Sequence, residues 1–141
     1  MENRNDNFPI GNGVSVTAVK AGEAYDHSMG FTPLEGAIMG TRCGDINPSI
    51  PLYIMKQEKL DCDGMEDILN NKHGLLGISG QFTDRRDILH AIRTGGKRAK
   101  LSFDIECCRL RKYLGAYSAV LGRVDAIAFT AGIGENSFCT G

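Results

Sequence analysis

A mixed α/β domain, a sheet flanked by helices, is what this sequence predicts, on three observations. An alternating segment at Val14–Lys20 meets a tight turn and a second short segment at Glu23–His27, the pattern of a β-hairpin. A long stretch from Lys97 to about Leu121 repeats apolar residues at helical spacing. After it, Val124–Thr130 reads VDAIAFT, the nearly continuous apolar run expected of a buried strand. A long helix between an early hairpin and a late strand implies helices laid against a sheet.

Taken in order, the hairpin places Val14, Val16 and Ala18 on one face and Ser15, Thr17 and Val19 on the other, with Ala21-Gly22 as its turn. Next comes Ser28–Asp45, SMGFTPLEGAIMGTRCGD. Gly30, Pro33, Gly36, Gly40 and Gly44 punctuate it, so neither helix nor strand runs through it. Met29, Phe31, Leu34, Ile38 and Met39 nevertheless make it too apolar for a solvated linker. Irregular apolar backbone suits the wall of a small-molecule pocket, and the lone Arg42 within it points to an anionic ligand. Pro48 is suited to a first helical turn, and Ile50, Leu52, Tyr53, Ile54 and Met55 carry a helix through Lys59. Asp61 or Asp63 caps a second helix with Met65, Ile68 and Leu69 inward, ending before Gly74. Leu75–Ser79 is a short apolar segment interrupted by Gly77. Thr83 or Asp84 caps a helix to about Arg93, stopped by Gly95-Gly96. In the long helix, Ala99, Phe103, Cys107, Leu110, Leu114, Tyr117 and Leu121 form the inward stripe, with charges opposite.

The chain has 141 residues, enough for one domain with a core, and its 42% hydrophobic and 23% charged content is ordinary for a globular protein. A net charge of −1 encodes no broad attraction to nucleic acid or to an anionic membrane. The basic groups Lys97–Lys100 and Arg109–Lys112 are expected to solvate the outer face of one helix. No run reaches transmembrane length, and MENRNDNF lacks the apolar core of a signal peptide. Five cysteines without CxxC spacing argue for free thiols in the cytoplasm rather than disulfides or zinc. His27, His73 and His90 have no ligand-like spacing, so no metal site is expected.

Three glycine-bearing segments are candidates for binding a phosphate ligand: Gly11-Asn12-Gly13, the Arg42 loop, and Gly132-Ile133-Gly134-Glu135-Asn136 after the late strand. Glycine turns at strand ends let backbone N–H groups approach phosphate closely, but each is also a plain turn. Asp84-Arg85-Arg86-Asp87 has two readings as well. It is either a capped helix start, or a carboxylate for ribose hydroxyls with a guanidinium to stack on a base.

The segment Ser28–Asp45, together with GNG near the start, GLLGISG at 74–80 and FTAGIGENS at 129–137, resembles the acetate kinase family in motif order and spacing from about Ile10 to Ser137. The resemblance implies a ribonuclease-H-like, actin-like ATPase domain of the acetate and sugar kinase, Hsc70 and actin superfamily. It also implies transfer of a phosphoryl group from ATP to acetate, giving ADP and acetyl phosphate, with magnesium. By position, Arg42 corresponds to the arginine that stabilises the transferring phosphoryl group, and Pro33 to a residue lining the acetate methyl pocket. Gly11, Asn12 and Gly13 correspond to the phosphate-contacting loop. Asp84, Arg85 and Arg86 correspond to the ribose and adenine segment, although Arg85 stands where an aromatic residue is often found. Gly132, Ile133, Gly134, Glu135 and Asn136 correspond to the adenosine-side loop.

The departures shape the expectation. Pro9 stands where the family has a histidine, and the polar ENRNDNF replaces a hydrophobic strand, so the hairpin is expected to lack its sheet partner. The family's N-terminal domain, with its acetate-binding arginine, catalytic aspartate, second transition-state histidine and magnesium-site asparagine, has no counterpart here, and a late magnesium-linked glutamate would lie beyond Gly141. The resemblance therefore implies an incomplete C-terminal nucleotide-binding domain over 10–141, preceded by a segment 1–9 without assignment. No metal ligand is expected in the chain, and the isolated chain is expected to be inactive. Family members are usually homodimers. The alternatives are a non-catalytic domain for ATP, ADP or phosphate, half of a split kinase, or a kinase whose substrate is propionate.

Overall fold

The computed structural model describes residues 13–130 together with the backbone of one preceding strand, β1 (Arg4–Pro9). The remaining elements are β2 (Thr17–Lys20), β3 (Glu23–His27), α1 (Ser49–Glu58), α2 (Cys62–Asn71), α3 (Gly74–Ser79), α4 (Arg85–Arg93), α5 (Lys97–Leu121) and β4 (Ala126–Thr130). The strands form one mixed sheet in the order β3-β2-β1-β4. β2 pairs antiparallel with both β3 and β1, while β1 and β4 run parallel. The β2–β3 connection is the two-residue turn expected, with Ala21 and Gly22 both at positive φ, 56° and 84°.

Two expectations about the sheet are corrected. The hairpin does have a partner: β1 lies between β2 and β4, with Asp6 opposite Ala18 on one side and Ile127 on the other. Ladder hydrogen bonds use main-chain N–H and C=O groups, which a polar sequence supplies as well as an apolar one. β4, read as buried, exposes its side chains, Ile127 at 41% and Phe129 at 38%. β4 ends the sheet order, and α5 packs against β1 and β2.

The helices follow local chemistry. Asp61 caps α2 by accepting from Gly64 N–H at 2.9 Å, and Asp84 caps α4 by accepting from Arg86 N–H at 2.8 Å. Gly80 and Gly122 end α3 and α5 in the left-handed conformation. α1 buries none of its residues; Ile50, Leu52 and Tyr53 are all exposed.

The core has two parts. Val14, Val16 and Ala18 of the hairpin face meet Tyr117 and Leu121 of α5 in one. Leu75, Ile88 and Ala99 bring α3, α4 and α5 together in the other. Between them runs the irregular segment: Ala37 and Met39 belong to the first cluster and Ile38 to the second. Three consecutive residues thus alternate sides as in an extended chain sandwiched between two cores.

The basic groups of α5 lie on the solvated face as expected, Lys97, Arg98, Lys100, Arg111 and Lys112 being exposed and Arg109 half-buried, while Glu106 departs from it. Arg98 donates to the carbonyls of Ile78 at 2.8 Å and Gly77 at 3.3 Å, and Arg109 to the carbonyl of Asp45 at 3.0 Å. Glu106 is buried at 2% exposure. Lys100 is paired with Asp104.

Candidate functional site

The loop that carries Arg42 is irregular but not loose, because its backbone is bonded on three sides. On the hairpin side, Ser28 N–H donates to the Val16 carbonyl at 2.9 Å and Ser28 Oγ accepts from Val16 N–H at 2.9 Å. On the helical side, the backbone N–H groups of His73, Leu75 and Leu76 donate to the carbonyls of Thr41, Met39 and Gly40 at 2.9–3.0 Å. A helix leaves its first N–H groups without internal partners, and here the loop itself supplies the acceptors for α3. Gly74 makes this approach possible. It lies at φ 61°, and a Cβ there would sit 2.3 Å from the Met39 carbonyl oxygen and 2.7 Å from that of Arg42.

The third attachment is Asp45. Its carboxylate accepts from Gly36 N–H at 3.0 Å and from the Tyr113 hydroxyl at 2.6 Å. Its own N–H donates to the Gly36 carbonyl at 2.9 Å. The phenol is held well above its ordinary pKa, first by burial and then by the bond to the Asp45 carboxylate. Beside it, Cys43 is buried, its N–H donates to the Leu69 carbonyl at 3.1 Å, and burial pushes its thiol up.

Within this frame Arg42 is half-buried, and its Nη1 lies 3.7 Å from the sulfur of buried Met39. No carboxylate among the described residues pairs with it. Its charge is therefore held at the surface of a fixed loop, available to an anion. Pro33 is exposed. An open recess of about 340 Å³ is lined by Phe31, Thr32, Leu34 and Glu35 on the Pro33 side and by Cys43, Gly44, Asp45 and Ile46 on the Arg42 side. Chain neighbours of both residues thus line the recess.

The 84–86 segment divides. Asp84 is engaged twice, as the α4 cap and as the partner of the exposed Arg86, whose Nη2 lies 2.6 Å from Oδ2. That bonding holds the Asp84 carboxyl below its usual range. Arg85 turns inward and is 3% exposed. Its guanidinium lies over the Phe103 ring at 5.0 Å and faces Glu106, with Nε 3.6 Å from Oε2. A buried guanidinium leaves no face for a base, so Arg85 does not share a surface with Asp84 and Arg86. Gly13 is exposed just before Val14. Gly11, Asn12 and Gly132, Ile133, Gly134, Glu135 and Asn136 lie outside the described residues.

Asp45, Tyr113 and Gly74 are what sequence reasoning missed. Tyr113 had a signal: it stands one turn before Tyr117 beside the inward stripe, where a phenol needs an acceptor. The magnesium that the resemblance implies finds no holder among the described residues, where no three His, Cys, Asp or Glu side chains converge. No described helix is long and apolar enough to cross a membrane.

Comparison with known proteins establishes the family. The profile of the acetokinase family matches residues 6–140. An acetate kinase of Geobacter sulfurreducens is 57% identical over 126 residues, covering 89% of this chain and 30% of that protein. The crystal structure of Porphyromonas gingivalis acetate kinase superposes with a TM-score of 0.95 at 44% identity, covering 98% of this chain and 35% of that one. A propionate kinase from Francisella tularensis does so at 0.92 and 39% identity, over 97% and 35%. The chain spans about a third of the length of these relatives, and its sheet and helices are part of the actin-like ATPase fold. With matched residues running through nearly all of its length, the chain belongs to the acetokinase family.

Proposed function

We propose that this chain is the nucleotide-side portion of an acetate kinase, in which the γ-phosphoryl of ATP passes to an acetate oxygen to give ADP and acetyl phosphate. The observation that carries this reading is Arg42: a guanidinium without a carboxylate partner among the described residues, on a loop bonded on three sides, in a chain of the acetokinase family. Phosphoryl transfer is positioning plus charge stabilisation, and a fixed planar cation suits oxygens that gain charge in the transition state. Pro33 is assigned to the acyl side of the recess. Asp84 and Arg86 are assigned to the ribose side, with Gly11, Asn12, Gly13 and Gly132–Asn136 as backbone contacts to the nucleotide. Arg85 has a supporting role, because it faces the interior.

No step is assigned to magnesium, since the described residues hold no cluster for it. The four described cysteines are free, in support of a cytoplasmic setting. The chain spans 30% of its Geobacter relative, so the full reaction is proposed for it joined to the acetate-holding remainder of such an enzyme, and not for the chain alone. Propionate is the second acyl substrate, favoured by the close superposition on a propionate kinase.

A coupled kinase assay and an ADP titration on the purified full chain test this. The expected result is ADP binding with no turnover. Turnover near that of complete acetate kinases would overturn the divided-site reading, and absence of ADP binding at millimolar concentration would overturn the nucleotide-side assignment.

A further inference from the structure

We propose that Asp45 is the positioning residue for Arg42, acting as the clasp through which α5 fixes the loop. The inference rests on the phosphoryl-facing reading of Arg42. Asp45 lies three residues from Arg42 and makes four polar contacts. Its carboxylate takes Gly36 N–H and the Tyr113 hydroxyl, its N–H reaches the Gly36 carbonyl, and its carbonyl takes Arg109 Nη2. Two of these close the loop on itself across nine residues, and two bind it to α5 across more than sixty.

The intervening backbone transmits that clasp. Gly44 sits at φ 65° with its Cα pressed against the Gly36–Ile38 main chain, where an added Cβ would lie 2.5 Å from the Gly36 carbonyl oxygen. Cys43 is bonded to Leu69, and Met39 N–H donates to the Arg42 carbonyl at 3.1 Å. Arg42 therefore sits between two pinned neighbours. The phenol-to-carboxylate bond is the short, charge-assisted kind, stronger than a neutral hydrogen bond. A misplacement on the order of 1 Å costs a positioned group about 100-fold.

The test is Tyr113→Phe in the full chain, which removes the hydroxyl but keeps the ring tilted against Tyr117 at 5.7 Å. Asp45→Ala serves as the stronger variant. Hydrogen exchange over residues 36–45 is expected to rise about tenfold with Tyr113→Phe and further with Asp45→Ala, with α4 unchanged. Acetyl phosphate is then titrated against wild type, Arg42→Ala, Tyr113→Phe and the double variant. Tyr113→Phe is expected to weaken binding in the wild-type background and to add nothing once Arg42 is gone. Unchanged exchange over 36–45, or equal weakening in both backgrounds, would overturn the clasp. If acetyl phosphate does not bind, or binds Arg42→Ala as it binds wild type, the phosphoryl-facing reading fails instead, and the exchange result alone decides the role of Asp45.

Discussion

Replacing Arg85 by Met is expected to destabilise the domain severely, and replacing Glu106 by Leu in the same chain to restore it. Both side chains are 3% exposed, and Nε lies 3.6 Å from Oε2. Unit charges at that separation attract by about 5 kcal/mol at an effective dielectric near 20. Against this stands a desolvation cost of several kcal/mol for each ion. The geometry offsets it poorly, because Arg85 Nε and Nη1 and Glu106 Oε2 have no hydrogen-bond partner. Glu106 accordingly titrates above its ordinary value of 4.5, with burial outweighing the attraction of Arg85. A raised folded-state pKa means that the native state holds the proton while the unfolded chain has released it. This group therefore favours folding most below pH 4.5, and that contribution is lost as pH rises through the folded pKa.

Arg85→Met leaves a buried carboxylate with no counter-charge and is expected to cost about 3–5 kcal/mol at neutral pH, less where Glu106 is protonated. The double variant, an apolar pair of similar volume against Phe103, is expected to lie within about 1 kcal/mol of wild type or to exceed it by up to about 4 kcal/mol. Urea unfolding of the wild type, both single variants and the double variant, followed by circular dichroism at pH 5 and pH 8, gives the cycle. Additive single effects below about 1 kcal/mol each would refute the reasoning, since they would mean a hydrated pair with no buried coupling.

Gly74→Ala is expected to cost more than about 2 kcal/mol, because it sets a Cβ in the left-handed region against the Met39 carbonyl. Gly115→Ala, in open space on α5, is expected to stabilise by about 0.5–1 kcal/mol; equal effects of the two in thermal unfolding would contradict the packing described here. Under native labelling with a thiol reagent, exposed Cys62 and Cys108 are expected to react first and buried Cys43 at least about tenfold more slowly. Peptide mapping that finds Cys43 modified as fast as Cys62 would rule out the closed loop.

Features set by neighbouring residues were legible in the sequence. Asp61 and Asp84 cap helices because a short acceptor side chain just before a helix reaches the unpaired N–H groups of its first turn, and Ala21-Gly22 turns the hairpin because its backbone demands positive φ. Arg42 could be singled out as the lone cation of an apolar, glycine-broken stretch. What the sequence hid depends on distant pairs. An arginine at a helix start reads as solvated until Glu106, twenty-one residues on, is brought opposite it. A polar strand such as β1 has no hydrophobic pattern to announce it, since its place is set by the edges on either side. Tyr113 and Asp45 meet across sixty-eight residues.

These distant pairs bear on one segment. The residues just before Arg42 alternate between the two cores, so the loop cannot shift toward one without vacating the other. Ile38 shares its cluster with Leu75, Ile88 and Ala99, which link α3, α4 and α5. Ile88 is three residues from Arg85, and Ala99 is seven from Glu106, so the buried ion pair lies along the same helix–helix seam. On the other side, Gly36 and Asp45 close the loop against Tyr113. The loop is therefore a piece of core that lacks regular hydrogen bonding, and its rigidity comes from α3 and α5. Such a loop presents a cation without first having to order it, and that saving in ordering entropy is what electrostatic stabilisation of a short-lived charge requires.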